Sequence, residues 1–292
     1  MKKLFMAVIA MMMTISASAQ FYIYCSDGNV IKVDSISMVA PEEPEQPDPS
    51  AGIGTFSVSA DKQVTFSKGN LQYHPANDEW RFAENQTDYI GDANSNCSST
   101  YNGWLDLFGW STNATNFGVS TSTDWVNDYL GSFVDWGTNK IGNDAPNAWR
   151  TLSYDEWKYL LNNRPNASSL KGVAQVNGVN GLIFLPDNWT CPAGVTFKSG
   201  FHSESSVEAY GQYQTFSADQ WSKLESAGAV FLPAAGSRAG SDVDRVQRYG
   251  YYWSATVYNS YVAYFLYFDS DEAIMTYDLR FIGKSVRLVK DL

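Results

Sequence analysis

Residues 249–268 read YGYYWSATVYNSYVAYFLYF, and ten of the twenty are aromatic. A core strand draws more on aliphatics and less on hydroxyl-bearing rings, so this stretch either buries itself or holds something. Side chains alternate across a strand with a period of two. That period sets Ala263, Tyr264, Leu266 and Phe268 on an inward face, with Ala263 as the imperfect member. Tyr261, Phe265, Tyr267 and Asp269 then face outward, after a turn at Tyr258, Asn259 and Ser260. Asp271, Met275, Thr276, Tyr277, Asp278 and Arg280 continue a polar and aromatic surface toward the C-terminus.

The chain opens MKKLFMAVIAMMMTISASAQ. Lys2 and Lys3, an apolar run and Ala17-Ser18-Ala19 read as a cleaved secretory signal over residues 1–19. The run is shorter than the ~20 apolar residues of a membrane span, and no later segment is long enough either. Cys25 lacks the small residues that precede a lipidated cysteine, so the expectation is export to the periplasm, cell surface or medium without membrane insertion. Removing Lys2 and Lys3 takes the 20 basic residues to 18 against 31 acidic ones, a net of −13. Nucleic acid and anionic lipid both need a basic footprint and are not expected partners.

Residues 20–40 read as a short hairpin around Ser26-Asp27-Gly28. Residues 41–54 form a linker whose prolines and acids cannot pack a core. Residues 55–292 are the main domain. It begins with four strand-like pieces at 55–59, 63–67, 71–75 and 79–83, read as a meander. Residues 91–148 are long and irregular for a compact domain. Two helix starts carry capping boxes with hydrophobic staples. One has Ser153 and Glu156, with Leu152 against Trp157; the other has Ser217 and Gln220, with Phe216 against Trp221. Asn-Gly pairs at 177–178 and 180–181 mark turns. Strands dominate and helices are few, so the class is α+β.

The segments WRTLSYDEWKYLL (149–161), GLIFLP (181–186), VFLPAAGSR (230–238), GYYWSAT (250–256) and GKSVRLVKD (283–291) together resemble the Fibrobacter succinogenes major paralogous domain family. That family is in turn similar to the C-type-lectin-like fold of formylglycine-generating sulfatase-modifying enzymes. The resemblance implies a C-type-lectin-like domain whose N- and C-terminal strands pair. It also implies that Glu156, Trp157, Trp253 and Arg287 are structural, as are Gly250, Tyr252 and Ser254. Arg287, among Val286, Leu288 and Val289, is expected to meet a buried acid, with Glu156 as the candidate and a solvent-facing arginine as the alternative.

The enzymes' cysteine chemistry is not carried over. It needs two thiols in the C-terminal half, where only Cys191 falls. Export permits a disulfide, and Cys97 with Cys191 is the pair expected within the main domain. His74 and His202 lie far apart with no zinc-ligand spacing around them. Gln46-Pro47-Asp48 and Trp125-Val126-Asn127-Asp128 approach the calcium motifs of lectins, but the first sits in the linker and the second carries an inserted residue. Asp269-Ser270-Asp271-Glu272 leaves calcium open as the one cofactor considered. Asp106, Asp124, Asp128 and Asp135 lie among tryptophans and keep open a carboxylate-dependent glycan hydrolase.

The expectation is therefore a non-enzymatic recognition protein whose partner is a glycan or a protein surface. Its ligand-binding candidates are Tyr258, Asn259, Tyr261, Phe265, Tyr267, Asp269, Asp271, Tyr277, Asp278 and Arg280. Tyrosine, serine, asparagine and aspartate on a fixed frame match a paratope's composition. The composition of 257–280 also resembles the cassettes that diversity-generating retroelements randomise by adenine-directed mutagenesis. The rival classes are the hydrolase and a structural, fimbria-like envelope component that donates strand FYIYC to a neighbour.

Overall fold

The computed structural model describes residues 21–24, 30–33, 53–112 and 116–292. The expected signal and most of the linker lie outside them. Two compact units divide at Pro47 and Asp48. In the first, β1 (Phe21–Tyr24) and β2 (Val30–Val33) pair antiparallel, with Tyr24 opposite Val30.

The second unit opens with two hairpins rather than one meander. β3 (Ile53–Ser57) pairs with β4 (Gln63–Phe66), and β5 (Leu71–His74) pairs with β6 (Glu79–Phe82) in a different sheet. From there to β7 (Arg150–Thr151) the described residues make only short 3-10 turns, other turns and bends, and isolated bridges. Then α1 (Tyr154–Lys158) runs into a π-helical turn over Tyr159–Asn163. β8 (Lys171–Val176) and β9 (Val179–Phe184) form a hairpin whose turn residues Asn177 and Gly178 have φ of 48° and 83°. The second Asn-Gly pair is not a turn: Asn180 and Gly181 lie inside β9.

Next come α2 (Val207–Tyr213), β10 (Thr215–Phe216), α3 (Ala218–Ser226) and β11 (Val230–Pro233). The order β10-β8-β9-β11 makes one sheet. A small hairpin of β12 (Ser237–Ala239) and β13 (Asp242–Asp244) leads to three long strands. β14 (Gly250–Val257), β15 (Val262–Phe268) and β16 (Ala273–Leu279) form an antiparallel sheet with β15 in the centre. The last strand, β17 (Leu288–Asp291), pairs with β4 and β7, so the domain's ends meet. The described residues are thus α+β, strand-dominated, with short helices and open sheets.

Both expected helix starts form as complete capping boxes. Leu152 and Trp157 are buried in one core with Phe66, Phe184, Leu266 and Phe268; Phe216 and Trp221 enter another beside α3. A third core gathers Trp80, Trp110, Trp136, Trp149, Trp253 and Phe265 under the irregular region. Its indoles tie that region down. Trp253 donates to the Phe108 carbonyl at 2.7 Å, Trp110 to the Ser254 carbonyl at 2.9 Å and Trp136 to the Phe117 carbonyl at 2.7 Å. Gly250 sits opposite Phe268, whose ring lies so close that a Cβ there would come within 2.0 Å of it.

Buried cations do the rest of the tethering, and they do it through main-chain oxygens. Arg164 reaches the carbonyls of Leu160, Leu170 and Leu185, with Asp187 at 3.1 Å. Arg238 reaches Leu107, Ser120 and Gly240. Arg280 reaches Tyr129, Gly131 and Asn259. Arg287 is buried as one of the two expectations had it, but it donates to the carbonyls of Ser67 and Phe231 instead of meeting an acid. Glu156 is fully engaged elsewhere. Arg150 grips it with two 2.8 Å bonds, Lys62 adds one at 3.1 Å, and the Ser153 amide adds one at 2.8 Å.

The expected disulfide is absent. Cys97 is buried with Arg238 nearby, whereas Cys191 is exposed against the α3 residues Ser222 and Lys223; both thiols are free. These sites belong to different parts of the domain, and its cores close without a crosslink.

Arg280→Met should remove the buried donor shared by the carbonyls of Tyr129, Gly131 and Asn259. Each orphaned buried acceptor costs about 1–3 kcal/mol; relief from burying a cation offsets part of this, so urea unfolding should show a net loss of roughly 2–4 kcal/mol. Amide exchange should quicken at residues 129–131 and 259–262. Unchanged stability and exchange would show that the clamp is dispensable.

Candidate binding surface

β15 is covered on both faces, and this sorts the aromatic segment differently from simple alternation. Tyr264, Leu266 and Phe268 pair across to Tyr277, Met275 and Ala273 on the side of α1. Leu266 and Phe268 are buried in the Trp157 core. Ala263 and Phe265 point into the opposite core, where the Phe265 ring lies 5.8 Å from both Trp253 and Tyr251. Phe265 is therefore a core residue and not an outward one. Sequence alternation identifies two faces but cannot reveal that a second layer, built from distant tryptophans, covers the other one.

Two more candidates turn inward. Asp269 is buried, and its carboxylate accepts from Ser205 Oγ (2.6 Å), Tyr267 Oη (2.9 Å) and the amides of Asp271 (2.8 Å) and Glu272 (2.9 Å). It closes the β15–β16 turn, and its oxygens are taken. Among the described residues no three His, Cys, Asp or Glu side chains converge as a metal site. Arg280 is also buried, clamping carbonyls as described, with its guanidinium 4.4 Å from the Trp110 ring. Asp278 is half-buried and holds Lys284 Nζ at 2.7 Å. Asn259 is exposed, but its Oδ1 accepts from the amides of Tyr261 and Val262, so it shapes the turn.

Tyr258, Tyr261 and Tyr277 remain as exposed rings at 47%, 39% and 51% of their full surface. They are not isolated. Tyr258 stacks on Tyr277 with centroids 4.1 Å apart and planes at 11°. Tyr264 meets Tyr258 edge-on at 5.3 Å and lies 4.2 Å from Tyr154 at the start of α1. Trp125, exposed to a similar degree, packs edge-on against Tyr261 at 5.0 Å. The rim at this end of the sheet thus presents a run of tyrosines beside a Trp–Tyr pair. Arg280 fixes its geometry, because one guanidinium bonds both the Asn259 turn and the Tyr129–Gly131 loop that follows Trp125. Asp271 is exposed at the opposite end of β15 and does not join this rim. Trp125 and Tyr154 are the rim members that sequence reasoning left off the site, since each reaches it from a remote segment.

Tyr267 is half-buried at the other end of the same strand, beside Tyr249 and Tyr251. Beneath Tyr251, Lys284 is fully buried in a cage of rings. Its ammonium lies 4.1 Å from the Phe265 centroid, 4.8 Å from Tyr251 and 5.1 Å from Trp253. Burial pushes Lys284 down to about 8, against the opposing pull of Asp278.

The acids considered for hydrolysis are largely committed to structure. Asp106 is buried, accepts from the Ile90 amide and Asn94, and is pushed up to about 6 by burial. Asp135 caps a turn through Gly137 and also accepts from Thr151; burial raises it as well. Asp124 is exposed and closes its own turn with Asn127.

Lys284 sets the sign of a pH effect. Its folded pKa lies below the ~10.4 of an unfolded lysine, so between about pH 8 and 10 the unfolded chain binds the extra proton. Stability from this group should rise with pH across that window. The difference in urea midpoint between the wild type and Lys284→Met should therefore shift in favour of the wild type from pH 7.5 to 10. A constant difference would show that the ammonium is solvated.

Compared with protein-family models, curated proteins and solved structures, the chain matches none, so the sheet order and the geometry of the rim are what bear on its function.

Proposed function

We propose that the protein is an exported, non-enzymatic recognition protein on a C-type-lectin-like frame, binding a glycan or a protein surface through the rim of Tyr258, Tyr261, Tyr277 and Trp125. The observation that carries this reading is the presence of two pairs of exposed, mutually packed rings, Tyr258 with Tyr277 and Trp125 with Tyr261, at one end of the β14–β16 sheet. Tyrosine offers large area, few rotors and a hydroxyl for hydrogen bonding. Its ring faces also stack on the CH surfaces of sugars. Exposed aromatics in a cluster are rare on a surface without a partner.

Retroelement diversification of 257–280 is compatible with its solvent-facing positions, which among the binding candidates are Tyr258, Asn259, Tyr261, Asp271 and Tyr277. Phe265, Asp269 and Arg280 are buried, and replacing them would damage the frame. Sequencing the locus across a population should find variation at the first set and none at the second. A locus without a template repeat and reverse transcriptase removes the diversification.

Glycan arrays and pull-downs on immobilised envelope proteins should each be run with Tyr258→Ala, Tyr277→Ala and Trp125→Ala. Central interface rings commonly contribute tenfold or more to affinity (~1–2 kcal/mol or above). Loss of that order, with the circular dichroism spectrum unchanged, supports the reading, and the assay that detects binding identifies the ligand class. Undiminished binding by the triple variant overturns the rim as the site.

A further inference from the structure

A second surface, at the opposite end of β14 and β15 from the tyrosine rim, carries a different chemistry. Asp244, Arg245, Arg248, Tyr249, Tyr251 and Tyr267 line an open cleft of about 390 Å³. That lies in the range of small-ligand sites and near its lower end, ~300–1,000 Å³. We propose that this cleft binds an anionic sugar residue, a uronate or a sulfated hexose, within a polysaccharide. The inference stands on the cleft alone and does not depend on the rim.

Charge comes first. The chain is acidic overall, at −11, yet two guanidiniums stand together here. Both arginines are exposed. Arg245 has Asp244 at 3.5 Å, and that carboxylate is itself largely in solvent. Among the described residues Arg248 has no carboxylate within ion-pair distance. Guanidinium forks match the planar oxygens of carboxylate and sulfate.

The walls suit a sugar ring. Tyr249, Tyr251 and Tyr267 form a triangle with centroids 5.7–6.1 Å apart. Tyr249 also lies under both guanidiniums, 5.7 Å from Arg245 and 5.0 Å from Arg248. Arg245 Nη1 donates to the Tyr251 hydroxyl at 3.0 Å, and the Tyr267 hydroxyl donates to Asp269 at 2.9 Å. Each of those hydroxyls has its orientation set, and each keeps hydrogen-bonding capacity for a ligand.

The loop that carries the arginines is pre-organised. Arg245 and Gln247 hold left-handed φ values of 65° and 64°, a conformation that costs non-glycine residues free energy. Gln247 secures it from beneath. Its amide nitrogen Nε2 donates to the Tyr89 hydroxyl at 2.7 Å, its Oε1 accepts from the Asn180 amide at 2.8 Å, and its carbonyl accepts from Asn180 Nδ2 at 2.9 Å. The Arg248 carbonyl accepts from the buried Tyr210 hydroxyl at 2.9 Å. Polar groups of the interior thus hold the main chain, while both guanidiniums stay exposed to solvent, Arg245 bonded to Tyr251 at one nitrogen only. The display of two arginines over tyrosines on a backbone held in this way is the feature that a ligand explains.

The test uses the full mature chain, titrated calorimetrically with oligogalacturonate and with a chondroitin sulfate oligosaccharide. Methyl-esterified oligogalacturonate and unsulfated chondroitin are the less charged counterparts, and inorganic sulfate is the ion control. We expect at least one charged oligosaccharide to bind and its less charged counterpart to bind much more weakly. Rising salt should weaken the binding. Arg245→Gln and Arg248→Gln should each reduce affinity roughly tenfold, as loss of a charge-assisted bond does. Both side chains are exposed, and unchanged thermal unfolding will confirm that these variants fold. Tyr258→Ala with Tyr277→Ala should leave this affinity intact, which separates the cleft from the rim. The proposal is overturned by no binding of either charged oligosaccharide at millimolar concentration, or by equal binding to the double arginine variant. Binding of inorganic sulfate as tight as that of the oligosaccharide overturns the sugar assignment.

Discussion

Main-chain carbonyls bonded to buried guanidiniums are the constraint on which the rest of this domain depends. A chain with a long segment lacking regular structure leaves many carbonyl oxygens without partners, and each must be satisfied if the segment is to pack. Arg238 and Arg280 supply donors to that segment, while Arg164 and Arg287 do so where strands and helix end. Burying a cation is unfavourable on its own. Here several acceptors converge on each guanidinium, and nearby ring faces add a cation–π contribution, as Trp110 does for Arg280.

The second constraint is that β14–β16 forms a middle layer. With α1 and the Trp157 core on one side and the tryptophan-rich core on the other, aromatic residues leave the interior only where the sheet ends. The tyrosines beyond the turn and those beside the Arg245 loop are thus two exits from a single slab. Lys284 sits between its ring-bearing strands and the irregular region, held by Asp278 on β16.

What the amino-acid sequence made legible was local. Ser153 with Glu156 and Ser217 with Gln220 are helix starts because their partners lie three residues away, and both boxes form. α2 was missed, although Ser206 caps it, because Gly211 and a weak apolar pattern conceal the helix. The strands of the aromatic segment were legible from their period. Their burial was not, because the layer covering Phe265 comes from residues such as Trp110, far away along the chain. The roles of Arg280 and Arg287 were hidden for a related reason: a carbonyl acceptor leaves no mark in the side-chain code, so the search for a carboxylate partner went to Glu156. The signal for the cleft was present as Arg245-Val246-Gln247-Arg248-Tyr249, two cations three apart before a tyrosine.

The Arg280 clamp has an evolutionary corollary. It grasps main-chain oxygen atoms, which every amino acid carries, so the clamp itself reads no side chain on the Asn259 turn or the 129–131 loop. Tyr258 and Tyr261, the exposed neighbours of Asn259, can therefore change and alter the chemistry displayed to the outside while the fastening stays intact. A lineage can therefore revise the surface chemistry of this edge without renegotiating the architecture beneath it.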